Sequence, residues 1–195
     1  MLKVDEKSSS WRSRPGTIGI LILGLLLGVV FFGSVGGFMV HANSEKFCAT
    51  ACHEMGELSL EHKGTIHDTN RSGVRATCPD CHVPHGYIPN YLAKFALFND
   101  YWGHFVTHSI DTKEKFEAKR SELAQKVWRY MKSNDSRECR ACHTVTKMDP
   151  DRQSEKAKAR HAKLITDPSI TCVDCHFAIA HTEPDGPGPQ ELTAK

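Results

Sequence analysis

Eight cysteines fall into four close pairs, and a histidine follows every pair at once. Three of the motifs are strict C-x-x-C-H: Cys78-Pro-Asp-Cys81-His82, Cys139-Arg-Ala-Cys142-His143 and Cys172-Val-Asp-Cys175-His176. The first, Cys48-Ala-Thr-Ala-Cys52-His53, holds three residues between its thiols. C-x-x-C-H is the attachment signature of c-type haem. Two thiols add to the two vinyl groups of one porphyrin, and the adjacent histidine then lies under the ring, where it can ligate iron. Zinc sites built from four cysteines, or from two cysteines and two histidines, explain the pairs but not a histidine after each one. Disulfides suit an oxidising compartment and ignore the histidines altogether. With 12 histidines in 195 residues, four such followers in a row by chance run to about one in 10⁵, so the spacing is a strong signal. The expectation is four covalently bound haem c groups. In the wider first motif the extra residue must bulge outward for both sulfurs to reach the vinyls.

Eight further histidines can supply the opposite faces of the irons: His41, His62, His67, His85, His104, His108, His161 and His181. Iron with two histidines suits outer-sphere electron transfer, whereas an open or weakly held position suits substrate approach.

The elements that must position these groups divide the chain in two. From residue 15 to 40 there is no charge, and the apolar core, residues 18–40, is 23 residues long. Crossing a bilayer needs roughly 20 residues, and a signal-peptide core has only about 7–15. The run therefore reads as a retained anchor over 16–41. Lys3, Lys7, Arg12 and Arg14 precede it, which places residues 1–15 in the cytoplasm and the rest outside. Gly24/Gly28 and Gly33/Gly37 stand at the four-residue spacing that permits close helix packing, a hint of a homodimer.

Residues 42–182 form a small haem-packed domain, too short to build a large apolar core around each of four porphyrins. The fold class expected is mainly α with much irregular loop: one transmembrane helix plus a multihaem cytochrome c domain that does not fold without its cofactor. Residues 87–106, rich in aromatics and including Leu97, read as a helix against the haems. Residues 109–131, with Thr112 as cap, read as the best soluble helix, and 151–164 as a charged one. The tail, 183–195, carries Pro184, Gly186, Pro187, Gly188 and Pro189 and reads as disordered. A net charge of +2 gives no reason to expect nucleic acid.

Taken together, the anchor, Phe47-Cys48…Cys52-His53-Glu54-Met55, Cys78-Pro-Asp-Cys-His-Val-Pro-His85, Ile110-Asp-Thr-Lys-Glu-Lys-Phe-Glu-Ala118, Arg137-Glu-Cys-Arg-Ala-Cys-His143 and Cys172-Val-Asp-Cys-His-Phe-Ala-Ile-Ala-His181 resemble the NapC/NirT/NrfH family of membrane-anchored quinol dehydrogenases, most of all its NapC/NirT branch. The resemblance implies that Met55 ligates the first haem in place of His53, although the extra residue in the first motif leaves His53 as the alternative. It implies His67 opposite His176, His181 opposite His82, and Lys94 opposite His143, with His104 or His161 as alternatives to Lys94. It also implies an acidic residue at the open face of the first haem, matched by Asp100 one residue out of register.

The activity so implied is oxidation of menaquinol or ubiquinol in a bacterial inner membrane during anaerobic respiration. Asp100, with Lys94 nearby, accepts the protons. Electrons pass to a periplasmic reductase, nitrate reductase before nitrite or trimethylamine N-oxide reductase. A chain that is itself a small-molecule reductase is the rival, and the short link between anchor and first motif argues against it.

Overall fold

The computed structural model describes residues 15–192 apart from residue 97. The cytoplasmic N-terminus expected over 1–15 lies outside the described residues except for its last position, and so do Leu97 and residues 193–195.

Two units make up the chain, dividing after Ala42. The first is α1, Pro15–Ala42. Residues 16–42 of it are long and apolar enough to cross a membrane. Its leucines, isoleucines and phenylalanines point outward all round, as befits a helix whose solvent is lipid.

The second unit is helical, with no strand among the described residues. Its helices are α2 (Glu45–Thr50), α3 (Glu54–His62), α4 (Cys78–His82), α5 (Tyr87–Ala96), α6 (Phe98–Phe105), α7 (Lys113–Ser133), α8 (Arg137–Arg140) and α9 (Glu155–Thr166). Side-chain caps set where three of them begin. Ser44 Oγ accepts from the Phe47 N–H at 3.1 Å, Thr112 Oγ1 from Lys115 at 3.3 Å, and Ser154 Oγ from Ala157 at 3.2 Å. The aromatic stretch expected as a helix is helical on both sides of residue 97, over α5 and α6.

The protein's own core is thin. Among the described residues of this unit, the buried aliphatic and aromatic side chains are Phe116, Trp128 and Val173. Trp128 meets Phe177 edge-on at 5.7 Å. Ordering a chain costs about 1–2 kcal/mol per residue in backbone entropy alone, and three such side chains offset little of that. The missing apolar contact is the share that porphyrin faces supply.

Residues 183–192 are packed, contrary to the disorder read from their prolines and glycines. Pro189 is fully buried. Its carbonyl accepts a bond from Lys132 Nζ at 2.9 Å, and Gln190 Nε2 donates to the Asp174 carbonyl at 2.6 Å. Proline and glycine forbid a regular helix here but not an extended path along α7. Gly186, at φ +119°, passes so close that a Cβ would stand 2.8 Å from Ser121 Oγ.

Candidate haem centres

The motif segments are shaped locally. Motifs 2 and 4 share the pattern Thr-Cys-x-Asp-Cys-His. In each, the aspartate reaches back to the threonine that precedes the first cysteine. Asp80 Oδ2 accepts from the Thr77 N–H at 2.7 Å and its hydroxyl at 2.6 Å. Asp174 Oδ2 does the same for Thr171 at 2.7 and 2.8 Å. These reciprocal caps start a helical turn at each motif, which carries both thiols and the histidine in motif 2 and ends at Asp174, just before Cys175 and His176, in motif 4. Motif 3 is held differently: Ser136, fully buried and left-handed at φ 48°, starts α8, and its Oγ accepts from the Val173 N–H of motif 4 at 3.3 Å.

The motifs follow one another in space. Helix α2, with Cys48, packs on α4 of motif 2, and α4 packs on α8 of motif 3. The Cys48 thiol is pushed down to about 7, chiefly by a hydrogen bond with Cys78, whose own thiol is pushed up. Burial first, then the neighbouring Cys172 and Cys81, pushes Cys139 up to about 11.

Four histidine pairs result. Two imidazoles on opposite faces of one metal, each nitrogen about 2 Å from it, hold their ring centres roughly 6 Å apart. His82 and His181 stand 6.1 Å apart, His67 and His143 6.2 Å, and His161 and His176 6.1 Å. All three separations fit an iron between the rings. A ligand imidazole must be neutral. Burial pushes His82 down to about 4, and burial also lowers His67 and His181. His67 and His181 each bury a ring nitrogen that has no hydrogen-bond partner in the protein. His161 Nδ1 meets Gln153 Oε1 at 2.7 Å, the outer-shell bond that orients a ligating imidazole. These residues fit four haems of the c type.

The pairings differ from those the resemblance implied. His67 faces His143, not His176, and the neighbour of His176 is His161. Lys94 lies elsewhere, in the field of Cys48. Asp100 lies in the field of Cys52, so the first thiol pair has a lysine and an aspartate beside it. Burial raises the Asp100 carboxyl, against a smaller opposing pull from Lys126. Lys94 is lowered by burial, with Cys48 acting the other way.

The fourth pair is unlike the rest. His53 and His104 are only 5.4 Å apart, and a carboxylate joins them. Glu54, with 5% of its side chain exposed, places Oε1 2.6 Å from His104 Nδ1 and 3.4 Å from His53 Nε2. Nothing in the spacing of Glu54 or His104 singled them out; a glutamate directly after a motif histidine was the one available sign. Met55, on the next position of α3, is partly exposed. Of the remaining histidines, His62 is buried at the end of α3 and His108 bonds Asp111 at 3.0 Å in an exposed loop.

A model of the NapC/NirT cytochrome c family, N-terminal region, matches residues 10–186. The chain belongs to this family. It is 46% identical over 169 residues to the denitrification system component NirT of Stutzerimonas stutzeri, covering 86% of this chain and 83% of that one. It is 44% identical over 178 residues to the cytochrome c-type protein NapC of Escherichia coli K12, covering 90% and 88%. It is also 43% identical over 170 residues to a putative tetraheme cytochrome c of Allochromatium vinosum, covering 86% and 91%. No solved structure matches the chain. With four attachment motifs on the family frame, the protein is a tetrahaem c-type cytochrome that carries electrons, and α1 is its membrane anchor.

Proposed function

We propose that this chain oxidises membrane quinol at the first thiol pair and hands electrons to a periplasmic reductase, with nitrate reductase the favoured acceptor. One observation carries the reading: Asp100 and Lys94 flank the motif that is tethered nearest the anchor. Cys48 follows Ala42 by six residues, a reach of no more than about 20 Å fully extended.

A quinol gives up two protons and two electrons. Asp100 accepts the two hydroxyl protons in turn and releases each to water; its raised proton affinity makes it a better base than an aspartate at its ordinary value. Lys94 holds a positive charge at the same site and orients the quinol oxygen. Haem c, when bound, supplies the one-electron acceptors. His82 with His181, His143 with His67, and His176 with His161 would hold the second, third and fourth groups. Met55 would hold the first group in place of His53, whose ring shares the Glu54 carboxylate with His104. The positive-inside pattern puts the whole haem domain in the periplasm.

The test is reduction of the purified holoprotein in liposomes by menaquinol and ubiquinol analogues, followed by reoxidation with nitrate, nitrite or trimethylamine N-oxide reductase. Reduction by either quinol and turnover with nitrate reductase are expected. If neither analogue reduces the protein while dithionite does, the quinol reading fails.

A further inference from the structure

Helix α6 is inverted with respect to an ordinary surface helix. Its two ionisable groups lie on the side of the first motif: Asp100 stands in the field of Cys52, and His104, one turn later, is bonded to the buried Glu54. Its aromatic groups turn outward, with Phe98 63%, Trp102 50% and Phe105 63% exposed. At 100° per residue, Phe98, Trp102 and Phe105 occupy the side of the helix roughly opposite Asp100 and His104. That face is therefore directed away from the first thiol pair and from any porphyrin attached there. The rings pack sideways on one another, Phe98 with Trp102 at 6.0 Å and Tyr101 with Phe105 at 6.3 Å, and leave their outer surfaces bare. Helix α5 repeats the pattern. Lys94 lies in the field of Cys48, while Ile88 and Phe95 are 73% and 77% exposed.

We propose that the outward face of α5 and α6 is a lipid-interface surface that beds in the headgroup and upper acyl region of the same bilayer that α1 crosses. Three observations select lipid as the occupant. The chain is already tethered to a membrane a few residues before Cys48, so the bilayer is present at high effective concentration. Trp102 and Tyr101 are the residue types of interfacial belts, where an amphipathic ring sits at headgroup level. Residues 87–106 hold one lysine and one aspartate, so the stretch has no basic cluster and the contact owes nothing to anionic lipid. This surface brings Asp100 to the depth of a lipid-dissolved substrate. The proposal rests on α1 residing in a bilayer and does not depend on which substrate reaches Asp100.

The holoprotein in zwitterionic phosphatidylcholine liposomes, with a fraction of the lipid carrying an acyl-chain diazirine, is irradiated and mapped by peptide mass spectrometry. Label is expected on the anchor and on residues 87–106, and none on α7. Replacement of Phe98, Trp102 and Phe105 together by Asn removes the second set and keeps the first, at unchanged four-haem mass. Should that variant fail to take up haem, the wild type alone decides: labelling at 87–106 persists in high salt and in nanodiscs holding one chain each. Label confined to the anchor, label lost in salt, or label lost in single-chain nanodiscs (where no second copy can cover or deepen the face) overturns the proposal.

Discussion

The imidazole of His67, which precedes the second motif, stands 6.2 Å from that of His143 in the third. The loop carrying His67 thus serves a motif it does not adjoin. His161, on α9, by contrast stands 6.1 Å from His176 of the motif that directly follows it. Replacing His67, His161 or His181 by alanine should leave the mass of four haems unchanged and convert one low-spin haem to high spin in each case. EPR of the oxidised protein counts the two kinds.

At the first motif the outcome should differ. His104 is bound to Glu54 rather than set at iron-bridging distance from His53. His104→Ala is expected to keep the low-spin count of the wild type, whereas Met55→Ala alters the first haem's spectrum. A new high-spin signal in His104→Ala would make His104 a ligand and remove the distinction between the first site and the other three.

Asp100→Asn should slow quinol oxidation by about 10²–10⁴-fold, the range for losing a positioned base, with reduction by dithionite unaffected. It should also stabilise the fold. Burial raises the Asp100 carboxyl, so the folded state binds this proton more tightly than the unfolded chain does. The Asp100 contribution is then neutral at low pH and becomes a penalty as pH rises from the unfolded toward the folded value. At neutral pH the amide avoids that penalty, and thermal melting of the holoprotein should show a higher midpoint. In the wild type, activity should rise with pH through the Asp100 titration as the carboxylate form fills.

Lys132 and Asp174 are paired at 2.6 Å with side chains only 9% and 10% exposed. Lys132→Met leaves a buried carboxylate unpaired and should cost about 3–5 kcal/mol, measured by chemical denaturation. Burial by itself raises Asp174, but the bonds from Lys132 and Thr171 outweigh it and the net shift is downward. A lowered carboxyl contributes stability above its unfolded value, and that contribution is lost as pH falls through the folded one. The wild type should therefore lose more stability on acidification than Lys132→Met does.

Gly186→Ala should displace the tail. The position needs φ +119°, and the new methyl would meet Ser121 Oγ at 2.8 Å. Loss of the Lys132–Pro189 and Gln190–Asp174 bonds should appear as faster amide exchange over 183–192.

The sequence by itself determined what lies within a few bonds. Each motif histidine is covalently next to its cysteines, so the thiols and that histidine are held together by a five- or six-residue spacing. The anchor is likewise a local property, an uncharged run long enough for lipid. The caps at Thr112 and Ser154 are local, and so are the Asp80 and Asp174 turns, though the repeated Thr-Cys-x-Asp-Cys-His pattern was legible only once its geometry was seen. Tertiary structure decided everything that crosses between elements: His67 opposite His143, His161 opposite His176, Glu54 between His53 and His104, Lys94 beside Cys48, and the tail along α7. A distal ligand is chosen by which loop the packing brings to the far face of a porphyrin, and a spacing along the chain holds no record of that approach.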